Sequence, residues 1–305
     1  MRSGFVGIVG RPNVGKSTLL NAILGEKIAI TTDKPQTTRN RIRGIYTSAP
    51  ASLGGRDGAR EDGVQMIFID TPGIHKPRNK LGGYMTELAV KTLKEVDAIL
   101  FMTDDAPSAG PGDPYIVELL KEADTPKLLL INKIDRMPPE KFKHTFQAYE
   151  SSGVFTRIFG VSALEGKNVD RALDALKGLM PEGPLYFPAD MVTDHPERFI
   201  VSEIIREKTL LYLDEEVPHG IAVSVEQYEE QGGLTKISAV IYCEKKSHKG
   251  IIIGKDGKKL KGVGKSARLE IEALLGAKVF LELWVKVKEN WRDSASALSG
   301  FGYRG

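Results

Sequence analysis

Residues Gly10 to Ser17 read GRPNVGKS, which matches the pattern Gly-x-x-x-x-Gly-Lys-Ser/Thr in full. In a phosphate-binding loop the two glycines let successive backbone N–H groups converge on phosphate oxygens. The lysine adds a positive charge near the β- and γ-phosphates, and the hydroxyl after it is a ligand for Mg²⁺. An apolar stretch from Phe5 to Val9 precedes the loop and a helical pattern follows it, as such a loop requires. The stretch therefore predicts a site for a nucleoside triphosphate.

The pattern around this loop alternates apolar strands with amphipathic helices as far as Met180. This predicts an α/β domain with a mixed, mostly parallel sheet over residues 1–180. Four prolines and one glycine fall within residues 181–197, which we interpret as a linker. A second, α+β domain of order αββααβ is predicted over residues 198–288, followed by a tail over 289–305. Residues 49–63 lack apolar periodicity and are predicted to be an insertion loop within a hairpin.

The composition is that of a globular protein with room for two domains, with 41% apolar and 27% charged residues among 305. No stretch approaches the ~20 apolar residues of a membrane helix, so a cytoplasmic protein is expected. The net charge is +3, but it is unevenly distributed. The segment from Lys245 to Arg268 contains nine Lys or Arg residues and one acidic residue, Asp256. This segment predicts a polyanion partner.

Three further motifs fall in the order of a GTP-binding domain. Asp70 to Gly73 (DTPG) closes a strand, with a carboxylate for the Mg²⁺ shell and a glycine N–H for the γ-phosphate. Asn132 to Asp135 (NKID) places a carboxylate that can accept both the N1–H and the exocyclic amine of guanine, a pair of donors that adenine lacks. Val161 to Ala163 (VSA) offers a backbone N–H to the guanine O6. The motifs favour GTP over ATP and disfavour a P-loop ATPase.

The candidate metal ligands are Ser17, Asp70 and a hydroxyl from Gln36 to Asn40. Thr38 is the first choice for that hydroxyl and Thr37 the competing one, because a flexible stretch here can complete the Mg²⁺ shell when GTP is bound. The residues expected to contact the nucleotide are Gly10, Arg11, Pro12, Asn13, Val14, Gly15, Lys16, Ser17, Thr18, Asp70, Thr71, Pro72, Gly73, Ile74, Asn132, Lys133, Asp135, Ser162 and Ala163.

The catalytic step has fewer signals. GTPases of the Ras type carry a Gln after the Asp-x-x-Gly turn that orients the attacking water, whereas Ile74 stands here. Rate enhancement must then come from Lys16, Mg²⁺ and a second cation, or from a partner. Asn13 is either a ligand for a monovalent cation such as K⁺ or a residue that hydrogen-bonds within the loop. The catalytic candidates are Asn13, Lys16, Thr38 and Gly73. The alternative to a GTP-hydrolysing enzyme is a nucleotide-gated RNA binder with negligible turnover.

The basic segment contains Gly254-Lys255-Asp256-Gly257, a Gly-x-x-Gly turn between two predicted helices. KH domains use this turn to clamp the backbone of about four single-stranded nucleotides. Ile251 and Ile252 are expected to form the floor of the groove that receives the bases. The residues predicted to bind RNA are Ile253, Gly254, Lys255, Asp256, Gly257, Lys258, Lys261 and Lys265.

These motifs together resemble the Era family, bacterial GTPases with a carboxy-terminal type II KH domain. GRPNVGKSTLLN from Gly10, DTPGIHKP from Asp70, NKID from Asn132 and IIIGKDGKKLKGVGKSAR from Ile251 carry the resemblance, which covers nearly the whole chain. It implies a GTPase that binds the 3′ end of small-subunit (16S) ribosomal RNA and assists assembly of the small (30S) subunit. It also implies GTP, GDP and Mg²⁺ as ligands and peripheral association with the inner face of the cell membrane. We expect a monomer.

Overall fold

The computed structural model describes residues 1–34, 36–48, 63–74, 77, 79–106, 112–213 and 217–303. The chain divides into two compact units. Unit 1 comprises Met1–Ala29, Thr38–Lys76 and Met85–Asp194, and unit 2 comprises Ile30–Thr37, Pro77–Tyr84 and His195–Gly305. The division after Asp194 falls inside the segment predicted to be a linker. The insertion predicted over residues 49–63 lies outside the described residues except for Gly63.

Unit 1 contains a six-stranded sheet of order β2-β3-β1-β4-β5-β6. Among the strands of this sheet, β2 runs antiparallel to its neighbour β3 and the other pairs are parallel, which confirms the predicted mixed, mostly parallel sheet. The strands are β1 (Arg2–Gly10), β2 (Ile42–Ser48), β3 (Val64–Asp70), β4 (Ala98–Thr103), β5 (Lys127–Ile131) and β6 (Arg157–Gly160).

Helices alternate with these strands and produce two apolar cores. The helices are α1 (Lys16–Leu24), α2 (Lys80–Leu93), α3 (Gly112–Lys121), α4 (Pro139–Glu150) and α5 (Val169–Lys177). Strand β1 shows the pattern, because Val6 and Ile8 belong to one core while Val9 belongs to the other. Successive side chains of a strand point to opposite faces, so a strand covered on both faces is apolar throughout. Strands β1, β3 and β5 run in the same direction. The loops that follow them therefore lie at the carboxyl edge of the sheet, where α/β sheets bind ligands.

Unit 2 contains the predicted αββααβ order. Its elements are α6 (Glu197–Leu211), β7 (Ala222–Gln231), β8 (Leu234–Cys243), α7 (Lys246–Ile253), α8 (Lys258–Leu275) and β9 (Lys278–Val287), with a short α9 (Ala295–Gly300) after them. The sheet order is β7-β8-β9, with β7 antiparallel and β9 parallel to β8. Alternate residues such as Ile237 and Ala239 face the helices and are buried.

The segment predicted to be a tail packs on this unit. Trp291 is fully buried, and its indole Nε1 donates a 2.9 Å hydrogen bond to the carbonyl of Gly220. Its ring contacts those of Phe301 and Tyr303, at centroid distances of 5.1 and 6.1 Å. Burial of Trp291 and Tyr303, with the half-buried Phe301 against Tyr242 of β8, fixes this segment on the unit.

Residues 30–37 also pack within unit 2, against helix α6. The carbonyl of Thr37 accepts a hydrogen bond from the buried guanidinium of Arg206, which is paired with Glu203. The amide of Thr31 donates a 2.8 Å bond to the carboxylate of Glu207, whose side chain is 2% exposed. Two charged side chains on one helix therefore hold both ends of this segment.

Across the described residues, no helix is both long and apolar enough to cross a membrane.

Candidate nucleotide site and RNA groove

The phosphate-binding loop connects β1 to α1 with the geometry its glycines allow. Gly15 has φ +104°, and a Cβ atom there would lie 2.3 Å from the side-chain nitrogen (Nδ2) of Asn132. Lys16 is 6% exposed, and its Nζ donates to the carbonyls of Gly10 and Arg11 at 3.2 and 2.7 Å. Burial lowers the pKa of Lys16 to about 8, although Asp70 opposes this effect. An anion at the loop would favour the charged form of this lysine.

The three candidate metal ligands lie together. The Ser17 hydroxyl donates a 2.6 Å hydrogen bond to Asp70 Oδ2, and Thr38 Oγ1 lies 2.8 Å from Ser17 Oγ and 3.3 Å from Asp70 Oδ2. Thr37, the competing choice, points elsewhere, since its hydroxyl bonds Thr32 Oγ1 and the carbonyl of Lys34 at 2.6 Å each. The geometry therefore favours Thr38 over Thr37.

Asp70 shows that this cluster fits a divalent cation. Its Oδ1 is buried and finds no hydrogen-bond partner among the described residues. Burial raises the pKa of Asp70 to about 6, while Lys16 and the two hydroxyls lower it. An unpaired buried carboxylate oxygen costs free energy, which a hard cation with oxygen ligands would recover. One carboxylate and two hydroxyls are the oxygen donors that Mg²⁺ prefers.

The residues predicted to bind the base lie at the opposite end of the site. Asn132 is 3% exposed; its amide donates to the carbonyl of Val14 at 2.7 Å, and its Oδ1 accepts from the N–H of Ala163 at 2.9 Å. A hydrogen bond with Ser162 lowers the pKa of Asp135, so this carboxylate is ionised and can accept two donors. Lys133 Nζ binds the carbonyl of Asn13 at 2.8 Å.

The remaining nucleotide candidates surround these groups. Gly73 lies against Pro12, because a Cβ on Gly73 would be 2.6 Å from the Pro12 nitrogen. Thr71 donates its hydroxyl to the carbonyl of Ile8 at 2.8 Å, and Pro72 beside it is buried. Ile74 is 1% exposed within an apolar core. Its side chain carries no polar group that could orient an attacking water. Asn13 is exposed with φ +63°, and Thr18 is half-buried in α1.

One network at this site was not predicted from the sequence. Asp113, 1% exposed at the start of α3, accepts hydrogen bonds from Arg11 Nε at 2.8 Å, Thr103 Oγ1 at 2.8 Å and the Tyr149 hydroxyl at 3.0 Å. Arg11 also pairs with Asp104 at 3.2 Å. Burial and then Asp113 raise the pKa of Tyr149. The network joins four segments that are distant in sequence, and no local sequence motif predicts their contact.

In unit 2 the Gly-x-x-Gly turn opens onto a groove of about 450 Å³. Gly254 and Gly257 have φ of +71° and +73°, so both occupy backbone conformations that favour glycine. The residues that line the groove are Gly257, Leu260, Lys261, Gly264, Lys265, Arg268, Leu281 and Leu283. Three basic side chains thus border an apolar floor, a combination that can meet the phosphates and the bases of a single-stranded nucleic acid.

The predicted floor was wrong. Ile252 is 1% exposed and belongs to the core of unit 2, and Ile251 is exposed outside the groove lining. The floor consists of Leu260, Leu281 and Leu283, and the last two come from β9. An apolar pattern alone could not distinguish a core face from a groove face. Of the predicted RNA-binding residues, Gly257, Lys261 and Lys265 line the groove. Lys255, Asp256 and Lys258 are exposed at the turn, Gly254 begins it, and Ile253 packs against the core.

Comparison with known proteins agrees with this arrangement. Residues 5–133 match the family model described as "50S ribosome-binding GTPase", and residues 216–292 match the KH domain model. The chain is 56% identical to the GTPase Era of Alkaliphilus oremlandii, over 99% of both chains. It is 51% identical to the GTPase Era of Clostridioides difficile, over 99% of this chain and 98% of the relative.

Two solved structures are similar over the full length. A complex of Era with MgGDPNP and nucleotides 1506–1542 of 16S ribosomal RNA has a TM-score of 0.92 at 39% identity, covering 100% of both chains. A single-residue variant of Aquifex aeolicus Era bound to GDP·AlF₄⁻ has a TM-score of 0.90 at 39% identity, also covering 100% of both chains.

Proposed function

Because this chain belongs to the Era family of GTPases, we propose that it couples GTP hydrolysis to binding of the 3′ end of small-subunit ribosomal RNA during assembly of that subunit. The observation that carries the proposal is the groove beside the Gly-x-x-Gly turn, in a chain that also holds a complete guanine nucleotide site. Lys261, Lys265 and Arg268 border this groove, and Leu281 and Leu283 form part of its floor. Basic borders bind phosphates, and an apolar floor receives bases.

The nucleotide site supports hydrolysis of GTP to GDP and phosphate. Asp135 selects guanine, since its carboxylate accepts the two adjacent donors of that base. Lys16 and the backbone of the phosphate loop bind the phosphates. Ser17, Thr38 and Asp70 would hold Mg²⁺, which supplies positive charge beside the phosphate oxygens when bound.

Ile74 determines which catalytic groups remain. Since its side chain cannot orient water, the N–H of Gly73 and the charge of Lys16 supply the stabilisation of the transition state, and Asn13 would hold a K⁺ ion that adds a further positive charge beside the phosphates. The stabilisation therefore comes from fixed charges and dipoles rather than from a side-chain base. A slow intrinsic rate follows.

A steady-state assay tests the coupling. GTP hydrolysis is measured in potassium buffer with and without a single strand that matches the 3′ end of the small-subunit ribosomal RNA. We expect a several-fold rise in turnover with RNA. Because coupling between two binding sites is reciprocal, RNA should also change the affinity for a GTP analogue. Equal turnover and equal nucleotide affinity with and without RNA in the unmodified protein would contradict the coupling.

The test variant and its control lie at the two ends of helix α8. Gly257→Asp should abolish the RNA effect, because a carboxylate enters the turn that meets phosphate. Gly276→Asp is the matched control, since Gly276 has φ +62° and open space around its Cβ position, like Gly257 at +73°. Both substitutions carry the same backbone strain, so a loss that is confined to Gly257→Asp assigns the turn to RNA.

We further propose a cytoplasmic monomer with peripheral contact to the inner face of the cell membrane. Family resemblance supports this part. Sedimentation of the purified protein and flotation with anionic phospholipid vesicles test it, and a stable dimer or absence of vesicle binding would contradict the respective statement.

A further inference from the structure

Strand β9 presents different side chains on its two faces. Leu281 and Leu283 line the groove, and Val279 and Val285 enter the core of unit 2. Phe280 and Trp284 alternate with these residues and lie on the other face of the sheet, where they are 60% and 56% exposed. We refer to Phe280 and Trp284 as the outer aromatic pair. Large exposed apolar side chains that share one face of a strand mark a candidate interaction surface.

The charges around the outer aromatic pair favour a polyanion. Lys236 on β8 is the register partner of Phe280, while Lys278 and Lys286 precede and follow the pair on β9. All three lysines are exposed. The acidic side chains beside them are Glu282, between the two aromatics, and Glu229, the register partner of Lys236 on β7, so three lysines face two carboxylates. These charges also disfavour edge-to-edge pairing with a second copy, because charged side chains on an edge strand oppose strand addition.

The position of β9 connects this surface to the RNA groove. β9 is at the edge of the sheet, with β8 as its neighbour. A strand of RNA that leaves the groove over Leu281 and Leu283 can therefore pass around an open edge and reach the opposite face. A KH groove clamps about four nucleotides, whereas the similar Era complex contains nucleotides 1506–1542. RNA of that length extends well beyond the groove.

We propose that the outer aromatic pair is a second RNA contact site, at which Phe280 and Trp284 stack on unpaired bases of the strand that leaves the groove. This inference rests on the proposed RNA-binding function. Aromatic side chains on an open sheet face are a known platform for bases, and stacking tolerates any base because each has a π-face. Lys236, Lys278 and Lys286 would bind the phosphates between the stacked bases.

Tryptophan fluorescence provides the direct test. The protein contains two tryptophans, and Trp291 is fully buried, so a change on adding RNA reports on Trp284. Full-length protein with a non-hydrolysable GTP analogue is titrated with two single strands from the 3′ end of small-subunit ribosomal RNA. One has about four nucleotides and fills the groove only, and the other has about twelve. We expect the longer strand alone to quench the emission, and Trp284→Phe to remove that signal.

Affinity measurements complete the test. The double variant Phe280→Ala/Trp284→Ala should bind the longer strand about tenfold more weakly for each aromatic removed, with unchanged affinity for the shorter strand. Lys261→Ala/Lys265→Ala should weaken both strands. Tyr115→Ala, which removes an aromatic side chain of 50% exposure from unit 1, should weaken neither.

The outcomes separate this inference from the RNA function on which it rests. Equal affinity of the double variant and the unmodified protein for the longer strand would overturn the outer site and leave the groove intact. Failure of the unmodified protein to bind either strand would overturn both. A Trp284 signal that appears with anionic phospholipid vesicles, or with rising protein concentration, but not with the longer RNA would assign the pair to a membrane or to a second copy and overturn the proposal.

Discussion

The side-chain amide of Asn132 donates a 2.7 Å hydrogen bond to the backbone carbonyl of Val14. Its oxygen accepts a 2.9 Å bond from the N–H of Ala163, so one buried side chain connects the phosphate-binding loop to the loop after β6. The groups that recognise the base and those that bind the phosphates are therefore held at a fixed separation. Asn132 acts through the backbone it supports.

Asn132→Ala should weaken GDP and GTP equally, by about 10- to 100-fold, because it removes two hydrogen bonds and leaves two backbone groups unpaired. Titration with fluorescent nucleotides measures this. Asp135→Asn should differ, since it removes the acceptor for guanine and should improve binding of a xanthine nucleotide, which has a carbonyl in place of the amine. Asn168→Ala is the control, because Asn168 also bonds a carbonyl, that of Gly160, but does not contact the phosphate loop. A base-selective loss in Asn132→Ala would contradict the supporting role.

Asp113 and Tyr149 should affect the phosphate loop through Arg11. Tyr149→Phe removes one of three hydrogen bonds to a buried carboxylate and should lower the free energy of unfolding by about 1 to 2 kcal/mol. Asp113→Ala leaves Arg11 without its main partner and should cost about 3 kcal/mol and speed dissociation of GDP. Denaturant unfolding and nucleotide release kinetics check both. Tyr115→Phe, at an exposed tyrosine, should change neither, and normal GDP release in Asp113→Ala would rule out the link to the loop.

Asp70 should make the metal-free protein less stable as the pH rises. Its pKa is raised to about 6 in the folded protein from 3.8 in the unfolded chain. Between these values the folded protein holds a proton that the unfolded chain has released, so the free energy of unfolding falls by about 2 kcal/mol as the pH increases from 4 to 6. Asp70→Asn lacks this contribution.

The measurement is denaturant unfolding of both proteins with a chelator and no nucleotide, across that pH range. The stability of Asp70→Asn relative to the unmodified protein should increase with pH, because other carboxylates contribute equally to both. Parallel pH profiles would show that Asp70 ionises normally.

Glu207 should protect the amide of Thr31 from hydrogen exchange. Glu207→Ala removes the acceptor of a 2.8 Å bond from that amide, and exchange should accelerate by about tenfold or more. Glu270→Ala is the control, because Glu270 shares Lys208 with Glu207 but is not the acceptor for Thr31. Equal exchange in the two variants would show that the bond does not limit opening of residues 30–37.

The sequence predicted what is encoded locally. The phosphate loop, the Asp70 turn, the NKID motif and the αββααβ order are contiguous patterns, because each depends on turn chemistry or on a period along one element. Thr38 could be chosen over Thr37 only in three dimensions, since the two hydroxyls are chemically identical and only their directions differ. The Arg11–Asp113 pair and the groove floor from Leu281 and Leu283 depend on pairings between distant segments, which no local period records.

The burial of Trp291 has a consequence for how the RNA-binding unit is made. During synthesis the chain emerges from its amino end, and domains generally fold in that order. Unit 2 contains residues 30–37 early in the chain and Trp291, Phe301 and Tyr303 at the other end of the sequence. These aromatic residues can pack on unit 2 only after they have left the ribosome that makes them. The residues that line the groove precede them in the chain, so the groove lining is synthesised before the contacts of Trp291 that complete the packing of this unit.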